Sequence, residues 1–172
     1  APTTQAMIIG QAVAQSPSIF GLVVALILVL RQPAGTDFVN MGIGIGAGLA
    51  AGVSALGAGI GSGITAGGAT AGVSNWPRSY GITVRTMLIG QAVCETPAIF
   101  GLLVSFIILF ALGDVNADLP GFARIFGASL AVGFGGIGPG IGSGLAGSSG
   151  CTATALRPDK DTLVLQTMLI GQ

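Results

Sequence analysis

Four apolar stretches dominate the chain, at roughly residues 5–30, 41–73, 86–112 and 121–153, and short polar connections separate them. Each stretch exceeds the roughly 20 residues that a helix needs to cross a bilayer. The pattern therefore predicts four membrane-spanning helices. The first and third are aliphatic. The second and fourth are rich in glycine, with "GIGIGAG" at 42–48, "GAGIGSG" at 57–63 and "GIGPGIGSG" at 136–144. Proline and glycine punctuate all four connections, "RQPAGTD" (31–37), "SNWPRSYG" (74–81), "GDVNADLP" (113–120) and "LRPDKD" (156–161), as expected for turns between helices.

The alternation is a repeat. "QAMIIGQAVAQSPSIFGLVVALILVL" (5–30) aligns without gaps on "RTMLIGQAVCETPAIFGLLVSFIILF" (85–110), and "GAGIGSGITAGG" (57–68) aligns on "GPGIGSGLAGSS" (138–149). We divide the chain into a first copy, 1–81, a second copy, 82–161, and the start of a third aliphatic helix, 162–172, where "TMLIGQ" repeats residues 86–91. The chain begins and ends at nearly the same phase of the repeat. A longer polypeptide is therefore expected, with a continuation that opens Ala-Val-x-(Glu or Gln).

Composition narrows the class. Charged residues make up 7% of the chain and hydrophobic ones 51%, against about 25% charged in soluble domains. A water-facing surface cannot be covered with so few polar side chains. The net charge of zero offers nothing to a nucleic acid backbone. A cleaved signal peptide does not fit the first stretch, which lacks a basic leader and recurs internally. Cys94 and Cys151 form no CxxC and the chain has no histidine, so no metal centre is indicated. Arg78, Arg85, Arg157 and Lys160 fall at one membrane face, whereas Arg31 and Arg124 fall at the other with Asp37, Asp114 and Asp118. The excess of basic residues places the Arg78 and Arg157 loops in the cytoplasm.

The glycine-rich helices offer small residues on more than one face. Glycine is a poor helix former in water, but a bilayer leaves the backbone no alternative hydrogen-bond partner. Small faces on two sides suit close neighbours on both sides, as in a ring. Pro139 is expected to bend its helix. A dinucleotide-binding reading of the GxGxxG-like spacing fails, because it needs a strand before the glycines.

One carboxylate interrupts the apolar pattern. Glu95 stands alone between Arg85 and Asp114, and its counterpart in the first copy is Gln15. Glu95 lies about ten residues, or ~15 Å, into its helix, near the bilayer centre. A charge there costs at least about 2.5–3.5 kcal/mol on insertion scales and usually marks function. A carboxyl that holds a proton in lipid and releases it near a cation is a carrier. Pro97 frees the carbonyl of Val93 from its helix bond, so Val93 O can accept from the protonated acid. Pro17 does the same beside Gln15, which cannot ionise.

The glycine-rich helix, the polar turn and "TMLIGQAVCETPAIFGLLVSFIILF" together resemble the proteolipid (the c-ring protomer) of rotary ATP synthases and ATPases. The motifs are F-type-like and the duplication resembles V-type members. The resemblance implies an all-α membrane protein of four transmembrane helices, in two tandem hairpin-type repeats that assemble into a rotor ring. Outer-type helices would be about 5–30 and 83–112, and inner-type helices about 41–73 and 121–153. It implies a non-catalytic subunit that moves an ion on Glu95 and couples this flow to ATP synthesis or hydrolysis. Ion-binding candidates are Glu95, Thr96, Val93, Ser62 and Ser143, with Gln15 as the non-ionisable twin. Sodium-binding members place glutamine at the Ser62 and Ser143 positions and tyrosine where this chain has Phe20 and Phe100. H⁺ is therefore the favoured coupling ion and Na⁺ the alternative, with no other cofactor. Expected partners are further ring subunits, like or unlike, the stator a subunit, the central stalk at Arg78, Arg157 and Pro158, and lipid. The expected location is an energy-transducing organelle membrane or the bacterial or archaeal plasma membrane. A non-rotary proteolipid channel and a structural scaffold are the competing readings. The isolated polar cluster of Gln91, Glu95 and Thr96 favours a binding station over a continuous path.

Overall fold

The computed structural model describes residues 1–31, 37–111 and 118–172, so Asp114 and most of the two connections at that membrane face lie outside the described residues. Among the described residues every regular element is helical. Four spans are long and apolar enough to cross a membrane: Pro2–Leu30, Phe38–Asn75, Pro77–Ala111 and Leu119–Leu156. They coincide with the expected stretches and extend beyond them at most ends; the third ends at Ala111, one residue short of the expected 112. The first comprises α1 (Pro2–Ala14) and α2 (Ser16–Leu30), and the second is α3 (Phe38–Asn75). The third enters through a 3-10 turn (Pro77–Ser79) into α4 (Tyr80–Cys94) and α5 (Thr96–Phe106), then widens into a π-helical turn (Ile107–Ala111). The fourth comprises α6 (Leu119–Gly135) and α7 (Ile137–Leu156); a second 3-10 turn (Pro158–Lys160) leads into α8 (Asp161–Gly171).

The breaks at Gln15, Glu95 and Gly136 each have a proline as their cause. Gln15 (φ −86°, ψ −12°) and Glu95 (φ −82°, ψ −13°) have the same backbone conformation. The prolines two residues later lack an N–H, so the helix tightens there. Ser18 N–H donates to Gln15 O and Ala98 N–H to Glu95 O, both at 3.0 Å. Pro139 produces the expected break in the fourth span, three residues earlier at Gly136. The aligned position in the second span is Ala58, and α3 runs unbroken for 38 residues.

The glycine-rich spans pack on each other along their length, α3 against α6 and α7. A Cβ at Gly57 would stand 2.6 Å from Ile137 Cα, and one at Gly61 would collide with the Gly140 carbonyl. Backbones this close exclude any side chain between them, which is the physical use of small residues in a membrane. Thr65 adds a polar stitch, its hydroxyl reaching Gly61 O at 3.1 Å and Gly144 O at 3.3 Å. The aliphatic spans form a second layer. The third sits in the groove between second and fourth, the first lies against the second, and α8 lies against α7. Ser105 Oγ donates to Ala47 O at 2.7 Å and ties the third span to the second. Arg31 Nη1 donates to Leu109 O at 2.6 Å and caps the π-helical end of the third span. The outward faces carry exposed Leu26, Ile99, Phe100, Leu103 and Phe110. Water would not tolerate such a surface, but lipid does.

Candidate ion site at mid-membrane

Glu95 sits at the middle of the 35-residue third span. Its side chain is half-buried, and Oε1 is sealed from the surface with no hydrogen-bond partner. The group that faces the carboxyl is the Ser16 hydroxyl, from the neighbouring aliphatic span. Ser16 Oγ also donates to Val13 O at 2.8 Å. That carbonyl is the one Pro17 leaves without a helix partner. One proline thus creates a free acceptor, one serine occupies it, and the same serine looks across at the acid.

This differs from the arrangement expected from residues near Glu95 in sequence. Thr96 and Val93 flank the carboxylate along the chain, yet the Thr96 hydroxyl makes no hydrogen bond to Val93 O among the described residues. Nor does Glu95 Oε1 bond to that carbonyl. The partner comes instead from the first copy, because the first and third spans lie side by side. Gln15 does not join it. Its side chain is exposed, although its backbone copies that of Glu95.

Ser62 and Ser143 lie on the glycine-rich layer, in α3 and α7. Both are buried, and both use their backbone carbonyls to accept from a glutamine amide, Gln91 and Gln172 respectively. Ser143 Oγ turns back to Gly140 O at 3.0 Å, whereas Ser62 Oγ has no partner. Ser16 thus faces the carboxyl, and Gln91 bonds to the glycine-rich layer one turn before it. The signal for Gln91 was present, since the dipeptide Gly-Gln recurs at 10–11, 90–91 and 171–172.

Arg78, Arg157 and Pro158 lie in the two turns at one end of the bundle. Trp76 (φ −130°, ψ 76°) and Arg157 (φ −132°, ψ 69°) are conformational equivalents, each preceding a proline. Arg78 therefore falls two residues later in its turn than Arg157 does in the other, although both are exposed at the same end. Arg157 faces Asp159 at 3.6 Å, and Arg85 faces Asp161 at 3.8 Å. Pairs as exposed as these add little to stability.

A layer of small-residue helices behind lipid-facing ones, with one carboxylate at mid-span, defines an integral membrane proteolipid. The chain matches the ATP synthase C-subunit family over residues 45–108 and again over 126–172, and it belongs to that family. Each match begins in a glycine-rich helix and runs through the turn into the aliphatic helix that follows. A 60-residue segment is 46% identical to the ATP synthase c-subunit of Alkaliphilus oremlandii (strain OhILAs), covering 35% of this chain and 67% of that protein. As a member of the family the chain is a non-catalytic integral membrane component of the rotor ring.

Proposed function

We propose that the chain carries the coupling ion of the rotor on Glu95, and that the ion site is completed between adjacent outer helices. The observation that carries this is the unpartnered, buried carboxyl oxygen at mid-span, faced by Ser16 of the next aliphatic span. A carboxyl so placed is costly unless it is neutralised. Protonation does this, and the Ser16 hydroxyl offers the acid a hydrogen-bond partner. The coupling ion is H⁺ in this reading, because a proton needs one carboxyl and one partner. Na⁺ needs several oxygens, and Ser62 stands where sodium-binding relatives of the resembled family carry glutamine.

As the ring turns, Glu95 meets a cationic group on the stator a subunit, gives up its proton there and regains one after passing. Gln15 presents no exchangeable group, so the first copy supplies ring wall without an ion step. In this reading each functional hairpin consists of a glycine-rich helix and the aliphatic helix after it, in the phase of the two family matches. The turns at Arg78 and at Arg157 and Pro158 face the central stalk, and lipid covers the outer layer. Carbodiimide modification in native membranes tests the reading. We expect Glu95 to be modified, with loss of coupled transport and no protection by Na⁺. Intact transport with Glu95 unmodified would sink it, and strong protection by Na⁺ would replace H⁺ as the ion.

A further inference from the structure

One turn before the carboxylate, Gln91 is completely buried. Its Nε2 donates to two backbone carbonyls on two other spans, Gly10 O at 2.9 Å on α1 and Ser62 O at 3.2 Å on α3. A single amide therefore joins α1, α3 and α4. The orientation of the amide is forced, because both partners are acceptors and only the nitrogen side can donate. Gln172 repeats the arrangement. Its Nε2 donates to Gly90 O at 3.2 Å and Ser143 O at 3.0 Å, on α4 and α7.

The glycine that precedes each glutamine is the other half of the joint. A Cβ at Gly10 would lie 2.6 Å from Ala66 Cβ and 3.1 Å from Met87 Sδ. At Gly90 it would lie 3.1 Å from Thr65 Cγ2 and 3.5 Å from the Gln172 amide nitrogen. Any larger residue would push its own carbonyl away from the next glutamine. The Gly-Gln pair is thus both acceptor and donor. Its glycine carbonyl accepts from the following outer helix, and its glutamine reaches back to the preceding one.

We propose that this pair is a positioning link for the ion site: Gln91 sets the height and rotation of α4 against the first span, so that Glu95 faces Ser16. The proposal rests on Glu95 being the ion carrier. The link suits the task because Gln91 and Glu95, four residues apart, lie on one helical face. It is anchored on backbone carbonyls, which do not change rotamer. The first and second spans carry no Asp, Glu, Lys or Arg between Pro2 and Leu30 or between Phe38 and Asn75. On the third and fourth spans the charged groups between Thr86 and Phe110 and between Leu119 and Leu156 are Glu95 and Arg124, the latter on α6. The pH midpoint of Glu95 modification is therefore a direct readout of that carboxyl and its immediate partners.

The test uses intact rings carrying Gln91→Met, which keeps the length of the side chain and removes the donor. Gly10→Ala disturbs the same joint from the other helix. Leu103→Ala, exposed on the same span as Glu95, is the control. We expect Gln91→Met and Gly10→Ala to move the midpoint of Glu95 modification by about one pH unit, a tenfold change in proton affinity, and Leu103→Ala to leave it in place. An unchanged midpoint in Gln91→Met rings overturns the proposal. If that variant yields no ring, an unchanged midpoint in Gly10→Ala overturns it. If Glu95 of the unaltered ring is never modified, the ion-site reading fails instead. The link is then judged by ring melting, which must fall for Gln91→Met but not for Leu103→Ala.

Discussion

The first and third spans are the same helix written twice, yet they end up in different circumstances. Both break at the same point with the same backbone angles, and both carry a proline two residues later. The third is flanked by a glycine-rich span on each side and by an aliphatic neighbour. There Gln91 is fully buried and Glu95 half-buried. The first has a glycine-rich span on one side only, and there Gln11 and Gln15 are exposed. Ser16 is bonded to Val13 O, whereas Thr96 makes no equivalent bond. A repeated sequence specifies a repeated backbone, but the environment of a side chain belongs to its neighbours. The surroundings of Glu95 are accordingly drawn from two copies of the repeat, each contributing a different part.

The largest effect should come from erasing the chemical difference between the copies. Glu95→Gln gives the third span the residue of the first. We expect ion-coupled transport to be lost and carbodiimide incorporation to fall to background, with the ring still assembling by native gel. A chain that no longer assembles would show the carboxyl to be structural. The reverse exchange, Gln15→Glu, should add a second reactive carboxyl per chain, read as doubled incorporation by mass spectrometry.

Next in size is the contact between the glycine-rich layers. Gly57→Ala places a methyl group against Ile137 Cα and the Gly136 carbonyl. We expect a loss of about 1–3 kcal/mol, typical of overpacking, seen as a lower melting temperature in detergent. Gly81→Ala meets nothing within 4 Å on the third span. It should be neutral or stabilising by up to ~1 kcal/mol through helix propensity. The opposite signs of two Gly→Ala changes would separate close packing from propensity.

A smaller difference should appear at the hydroxyls. Ser16→Ala removes the side-chain donor to Val13 O and the group facing Glu95. We expect a cost of about 1 kcal/mol together with an altered rate of Glu95 modification. Thr96→Ser keeps a hydroxyl at a position that makes no corresponding bond, and should change neither. Equal effects at the two positions would mean that the two copies contribute alike, against the asymmetry of the two spans.

The order of elements could be read from the chain alone. Apolar runs longer than a bilayer, glycine where backbones must touch and proline where a helix must break are local signals, and each was realised close to where it stands in the sequence. Glu95 was equally legible, because a lone carboxylate in a long apolar run has few explanations. The partners of Glu95 were not. Ser16 lies far from it along the chain, and Thr96 is the nearer hydroxyl. The choice between them depends on which helices lie side by side and on their rotation. That arrangement is settled by the packing of the glycine faces and by buried amides such as Gln91, which must find carbonyls because no water reaches them. Sequence determined the helices, their breaks and the acid. Only the tertiary structure decided what the acid faces, since burial and hydrogen bonding between spans are properties of neighbours and not of residues.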